Sequence, residues 1–286
     1  MIRISIVCVF LVLASNLSAQ KKLKLSTNGK GTLFFYGGYH RVGYASHNID
    51  FKGSDYSFEL ENQRFSDNQE GESVADFFGS SSLQSAQAAF HVGYYVAHKW
   101  ALTAGYDRMN FFIQLDEPSR VNGSFAPGSH SLLSGNYSGD LIQLTKDDLY
   151  YAQEKGVNLF TIGIQRTDKW YRARDASFSL NTNARLALGP IFSNTTFIYD
   201  AFLTENSSGF SGMGFYNHLS LRFDFFQHVF IQPGLNAGVI SQGNVALRSI
   251  TDERARHTAW FLSPQISIGA SLFVRPTDGC GTCPKW

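Results

Sequence analysis

From Thr258 to Arg275 the chain alternates almost without a break. Trp260, Leu262, Ile266, Ile268, Ala270, Leu272 and Val274 fall on one face. Ser263, Gln265, Ser267, Gly269, Ser271 and Arg275 fall on the other. Successive side chains of a strand point to opposite faces, so this segment predicts a strand that is apolar on one side and polar on the other. Its length suits a barrel with lipid outside and a polar lumen inside.

Seven further segments extend the pattern, giving eight spanning strands. The first is Gly31 to Ala45, where glycines blur the alternation. The others start at Ala86, Trp100, Val157, Phe178, Met213 and Val229, with the opening segment as the eighth. Pro233 and Pro264 each lack a ladder donor, so a bulge or local irregularity is expected there. The connections fall into two classes that alternate strictly. Short ones lie at His98–Lys99, Thr167–Ser177 and Gln227–His228, and long ones at Ser46–Ser85, Asp116–Gly156, Ile191–Gly212 and Ser241–His257. Short periplasmic turns with longer extracellular loops are the topology of an outer-membrane barrel. A soluble lipocalin-like barrel would show the same alternation with its apolar face inside. Within the first long loop, Ile49–Phe51 and Tyr56–Leu60 predict a hairpin turning at Gly53, and Phe65 to Ser82 reads as polar and flexible. In the second, Leu141 to Glu154 reads as a short helix.

Composition sharpens this picture. The 286 residues include 25 Phe, 13 Tyr and 26 Gly, with a formal net charge of +1. Aromatic load with few charges fits a barrel with aromatic girdles, and near-neutrality gives no support to a nucleic-acid partner. Trp100, Trp170 and Tyr171 lie near short turns and suit an interface belt. Arg3 followed by the apolar Ile4–Leu13 and the small residues before Gln20 reads as a secretory signal cut after Ala19. The apolar run is too short for a spanning helix, which argues against a retained anchor. The expected organisation is a signal peptide at 1–19, a periplasmic segment at 20–30, an outer-membrane barrel at 31–275 and a periplasmic tail at 276–286.

Candidate chemistry lies on the predicted inner face: His91, Asp107, Arg185, His218, Arg222, Asp224 and Arg275. They line a small pore or ligand site, or they pair and plug the lumen. Eight strands leave room only for side chains or one small ligand, and buried charges need partners, so plugging is favoured. That reading places Arg185 and Arg222 near Asp107 or Asp224. Cys280 and Cys283 form a C-x-x-C in the tail. No further ligands follow in sequence to make a metal site, and no thioredoxin-like pattern surrounds it, so a local disulfide is expected. No metal, cofactor or catalytic motif is identified.

Gly38-Tyr39-His40-Arg41, Ile49-Asp50-Phe51-Lys52-Gly53 and Tyr56-Ser57-Phe58-Glu59-Leu60 resemble the opening of a group of poorly characterised outer-membrane barrel proteins of Bacteroidota. Gly212–Phe215, Leu221–Phe226 and Phe230–Gln232 are similar to a later hairpin of that group. The resemblance spans most of the mature chain and implies location and fold. Members of the group often carry an HTDGLN-like stretch, itself distantly similar to the His-x-Ser element of lipid A deacylase barrels. Here the stretch is Gln153-Glu154-Lys155-Gly156-Val157-Asn158. Gln153 stands at the His position and cannot act as a base, which counts against a deacylase role.

These readings converge on an all-β protein: an eight-stranded antiparallel transmembrane β-barrel in the cell outer membrane of a Gram-negative bacterium. Its expected role is structural, or surface recognition of an extracellular ligand or protein through the loops. Its expected surroundings are outer-membrane lipid and lipopolysaccharide. The alternatives are a lipid A-modifying acyl hydrolase and a narrow channel for small solutes. The sequence does not specify an oligomeric state.

Overall fold

The computed structural model describes residues 27–67, 87–200, 202–205, 209–248 and 252–274. The strands are β1 (Thr32–His40), β2 (Gly43–Tyr44), β3 (His47–Lys52), β4 (Tyr56–Gln63), β5 (Phe65–Ser66), β6 (Ala88–Ala97), β7 (Trp100–Ile113) and β8 (Ser119–Phe125). They continue as β9 (Gly135–Ile142), β10 (Leu149–Arg172), β11 (Phe178–Ser193), β12 (Thr196–Tyr199), β13 (Phe202–Glu205), β14 (Gly209–Phe225), β15 (Val229–Ala246) and β16 (Arg254–Phe273). Eight of them close a ring in the order β1-β6-β7-β10-β11-β14-β15-β16, and β16 pairs back onto β1 from Thr32↔Phe273 to His40↔Gln265. Every pairing in the ring is antiparallel. Closure leaves no unpaired edge, which is what lets strands cross lipid.

The burial pattern decides which face is which. Ile162 and Trp260, on the outside, are each 67% exposed, whereas Arg185 and Arg222, on the inside, are each 1% exposed. A soluble barrel would show the reverse, so the lipocalin-like alternative does not apply. An antiparallel barrel with an apolar outer band, a polar interior, short turns at one end and long connections at the other is the outer-membrane architecture. The chain is an outer-membrane β-barrel.

The three short turns share one end with the first described residues. The Lys99 amide donates to Asn28 O at 3.0 Å, Thr167 N to Lys99 O at 2.9 Å, Phe226 N to Ser177 O at 2.7 Å and Ser271 N to His228 O at 2.7 Å. Phe226 and Gln227 both take positive φ, at 52° and 67°, which matches the twist of a tight hairpin. The exposed Trp100, Trp170, Tyr171 and Phe226 ring this end.

The opposite end departs from the expectation of loops. Leu141 to Glu154 is not helical: Leu141 and Ile142 close β9, and Leu149 onward is the start of β10, a strand of 24 residues. Tyr150, Tyr151, Ala152 and Gln153 are all buried, so both faces of this stretch are covered. Alternation is lost for that reason, and a short apolar run without alternation does not separate helix from strand. The expected hairpin at Gly53 is present as β3 and β4. Phe65 and Ser66, assigned to a flexible loop, pair with Ile113 and Phe112 as β5. Beyond Asp67 that loop lies outside the described residues until Gln87. Neither proline shifts the register of its ladder. Around Pro233 the β14–β15 ladder drops pairs and resumes in step, and Pro264 sits where β1 leaves β16. The dropped pairs at Pro233 are the expected local irregularity, while the register shifts of the ring lie elsewhere, one of them between Gln153 and Val157, where Gly156 adopts φ +105°. That conformation favours glycine.

Two layers face each other above the membrane. β3, β4, β8 and β9 extend the β16 wall, while β12 and β13 extend from β10. Phe51 meets Tyr151 and Phe197 at 5.7 and 5.8 Å between ring centroids, and Tyr56 meets Tyr199 at 4.6 Å. Ile49, Phe58, Leu60, Phe111, Val121, Leu149 and Leu159 complete one apolar core. The long connections therefore fold into a packed extracellular head.

Candidate functional site

The inward positions of β6, β7, β11 and β14 bring six of the seven predicted lumen residues inside the ring: His91, Asp107, Arg185, His218, Arg222 and Asp224, all buried. Strand pairing dictates their neighbours, since Arg185 stands opposite His218, Asn181 opposite Arg222 and Ser179 opposite Asp224. Arg275, Cys280 and Cys283 lie outside the described residues, as do the signal segment and residues 20–26. Among the described residues, no group of three or more His, Cys, Asp or Glu is arranged to hold a metal.

Three layers fill the lumen. Nearest the turns, Asp224 Oδ1 accepts from Arg222 Nε at 2.8 Å. Asp224 Oδ2 accepts from Ser179 Oγ at 3.1 Å and from the Asn181 amide. Arg222 Nη2 donates to Ser271 Oγ at 2.7 Å, and the guanidinium lies 3.7 Å from the centre of the Phe230 ring. The charge is thus paired on one side and covered by an aromatic face on the other.

The middle layer is made of neutral groups. The Asn183 amide donates to Gln232 Oε1 at 3.0 Å, Gln232 Nε2 meets His218 Nε2 at 3.0 Å, and His218 Nδ1 meets Asn236 Oδ1 at 2.7 Å. An amide NH₂ only donates and an amide oxygen only accepts, so the His218 ring is neutral with its proton on Nδ1. Asn236 passes the chain to Gln265 at 2.9 Å.

The upper layer centres on Arg185. Nη1 donates to Tyr36 Oη at 2.9 Å and to His91 Nδ1 at 2.7 Å, while Nη2 donates to Tyr216 Oη at 2.9 Å. Arg185 has no acceptor, so His91 Nδ1 accepts and the ring proton sits on Nε2, facing Asp107 Oδ1 at 3.1 Å. Tyr216 donates to Asp107 Oδ2 at 2.7 Å. Arg185 and Asp107 are therefore joined through two relays rather than directly. Tyr36 and Tyr216 were not among the expected site residues. Tyr216 shares the parity of His218 along β14, a signal the sequence carries, whereas Tyr36 lies beside Gly37 and Gly38, where alternation is blurred.

Above this layer the inward residues turn apolar: Met109 follows Asp107 on β7, Leu159 precedes Thr161 on β10, and Phe261 precedes Ser263 on β16. A void of about 10 Å³ between His40, Asp107, Asn236, Ser263 and the apolar cap has room for about one water. Gln153 points into the extracellular core. Its amide donates to Tyr151 Oη at 2.8 Å and to Gln242 Oε1 at 2.7 Å, away from lipid.

No protein-family model and no curated relative matches the chain. Several solved structures do. The outer membrane protein OprG from Pseudomonas aeruginosa is 12% identical, with 86% of this chain and 97% of that one covered at a TM-score of 0.40. The outer membrane protein AlkL is 9% identical over 92% and 100%, at 0.39. Ail, the attachment invasion locus protein of Yersinia pestis, is 10% identical over 85% and 99%, at 0.33. The functional reading below rests on this chain's own residues.

Proposed function

We propose that this protein is a non-conducting barrel that anchors a rigid, double-layered head at the outer face of the membrane, where the head serves structure or surface recognition. The observation that carries this reading is the continuous filling of the lumen. A solute crossing it would have to break the Arg222–Asp224 pair, the Arg185–His91–Asp107–Tyr216 network and the apolar cap above them. Buried charges separated from their partners are costly, so the closed arrangement is strongly preferred. The inward aim of Gln153, bonded to Gln242, supports a non-enzymatic role over acyl hydrolysis at the lipid face.

The test is ion conductance of the purified full chain in planar bilayers. The expected record is a flat baseline at neutral pH. Stable, reproducible openings would overturn the reading in favour of a narrow channel.

A further inference from the structure

The outer face of the extracellular head carries a feature that the head's own packing does not require. On β16 the outward row Trp260, Thr258, Arg256, Arg254 continues upward from the lipid-facing wall. At about 3.3 Å per residue and a tilt of about 40°, Arg256 and Arg254 stand roughly 10 and 15 Å above Trp260. Trp260 is the uppermost exposed apolar residue of β16 and suits an interface position, which puts both arginines at headgroup height on the same side of the strand.

Their cross-strand partners make the row unusual. Arg254 stands directly opposite Lys52 on β3. Like charges facing each other on adjacent strands are destabilising. Arg256 stands opposite Asp50, and Asp50 opposite Glu59. The nearby groups engage the three cations unevenly, and Arg254 Nη1 donates to Glu253 O at 2.9 Å. Glu59 is engaged by Asn48 Nδ2 at 2.5 Å, and Asp252 Oδ1, fully exposed, lies 3.8 Å from Arg254 Nη2. Among the described residues, neither Lys52 nor Arg256 has an ion-pair partner. Asn122, whose amide donates to Glu61, lines the far side of the same open groove, which has a volume of about 690 Å³.

We infer that this groove binds the phosphorylated sugar headgroup of outer-leaflet lipopolysaccharide, with Lys52, Arg254 and Arg256 on the phosphate. A phosphate between Arg254 and Lys52 converts a repulsive pair into two charge-assisted contacts, and guanidinium groups suit its oxygens. The inference rests on the outer-membrane setting and is independent of whether the lumen conducts.

The experiment titrates the purified full chain in detergent micelles with lipopolysaccharide, with the same lipid after removal of its phosphates, and with inorganic phosphate. The wild-type chain is expected to bind the phosphorylated lipid at least tenfold more tightly than the dephosphorylated one. Lys52→Gln/Arg254→Gln/Arg256→Gln is expected to abolish that preference while keeping the heat-modifiable mobility of a folded barrel. Lys52→Gln alone is expected to leave the thermal midpoint in lipid-free micelles unchanged or higher, because a repulsion is relieved. Equal binding by the triple variant, or no preference for phosphate, overturns the inference. Inorganic phosphate binding as tightly as the lipid also overturns it, in favour of a free-anion site. A lower midpoint for Lys52→Gln with lipid binding intact would mark the charges as structural and overturn it likewise.

Discussion

The membrane half and the extracellular head are built from the same strands with opposite polarity. Inside the membrane, β16 buries Ser263, Gln265, Ser267 and Ser271 and exposes Leu262, Ile266 and Ile268. Two residues further up, the same strand buries Phe261, Ala259 and Ala255 and exposes Thr258 and Arg256. β7 and β10 switch within two residues of each other in the ladder, at Asp107/Met109 and at Leu159/Thr161. Along β16 the alternation continues through the switch; the medium outside is what changes. Where lipid surrounds the barrel, the hydrophobic effect gives no reason to hide apolar side chains inside, and the interior is held by paired polar groups. Where water surrounds it, apolar burial takes over. One continuous strand thus follows two folding logics, and each half fails in its own way.

The largest expected effects come from breaking each interior by its own logic. Arg185→Ala removes the guanidinium at the centre of the upper lumen layer and leaves Asp107 buried with its relays unanchored. The expected loss is about 3–5 kcal/mol, read as a lower urea midpoint for refolding into lipid vesicles, with the change centred on β7, β11 and β14. Arg185→Met, by contrast, combined with Asp107→Leu, should recover part of that loss, because an apolar isostere pair avoids the stranded charge. In the head, Phe111 contacts Phe65 at 4.4 Å, His257 at 4.7 Å and Tyr44 at 4.9 Å and is fully buried. Phe111→Ala is expected to cost about 3–5 kcal/mol. Its signature is faster proteolysis of β3, β4, β8 and β9 with the membrane barrel still resistant. If Phe111→Ala unfolded both halves together, the head and the barrel would be one cooperative unit and the comparison would collapse.

A smaller effect locates the plane between the halves. On the outer face of β16, Ile266→Lys places a charge against hydrocarbon and is expected to cost about 2–4 kcal/mol, whereas Thr258→Lys, near the interface, should cost about 0–1 kcal/mol. Equal costs at both positions would put the polarity switch elsewhere on the strand.

The same switch explains what the sequence reveals and what it hides. In the membrane half, period-two alternation is visible in Leu219, Leu221 and Phe223 against His218, Ser220 and Arg222, because one face always meets lipid. The six described lumen residues followed from parity alone. In the head, Phe111, Phe112 and Ile113 are buried in succession, and so are Tyr150 to Gln153, because layers cover both faces. No alternation survives there to separate strand from helix. The partners within the lumen were hidden for another reason. Register between strands far apart in sequence decides that Arg185 meets His91 and Tyr216 rather than Asp107 directly, and no local pattern encodes that.

The smallest predicted effect belongs to the head and sets it apart by pH. His257 lies above the membrane band, in a pile of rings with Phe111, Phe65 at 6.2 Å, Tyr151 at 6.0 Å and His47 at 5.3 Å. Burial, and then the neighbouring His47, push its pKa down to about 3. Burial likewise lowers that of His47, against a weaker pull from its bond to the Ala45 carbonyl. When the head opens, both histidines return to an ordinary value near 6.5. Between about pH 6.5 and 3 the open form therefore binds more protons than the closed one. The head's stability is complete above that window and falls as the pH drops through it, by up to about 1.4 kcal/mol per pH unit for His257. Hydrogen exchange at β3 and β4 should accelerate about tenfold between pH 6.5 and 5.5, after correction for the intrinsic rate. His47→Phe/His257→Phe keeps aromatic rings in the pile and removes both titrations, so the corrected exchange should become flat across the same interval. An unchanged pH dependence in that double variant would assign the acid sensitivity to groups outside the ring pile.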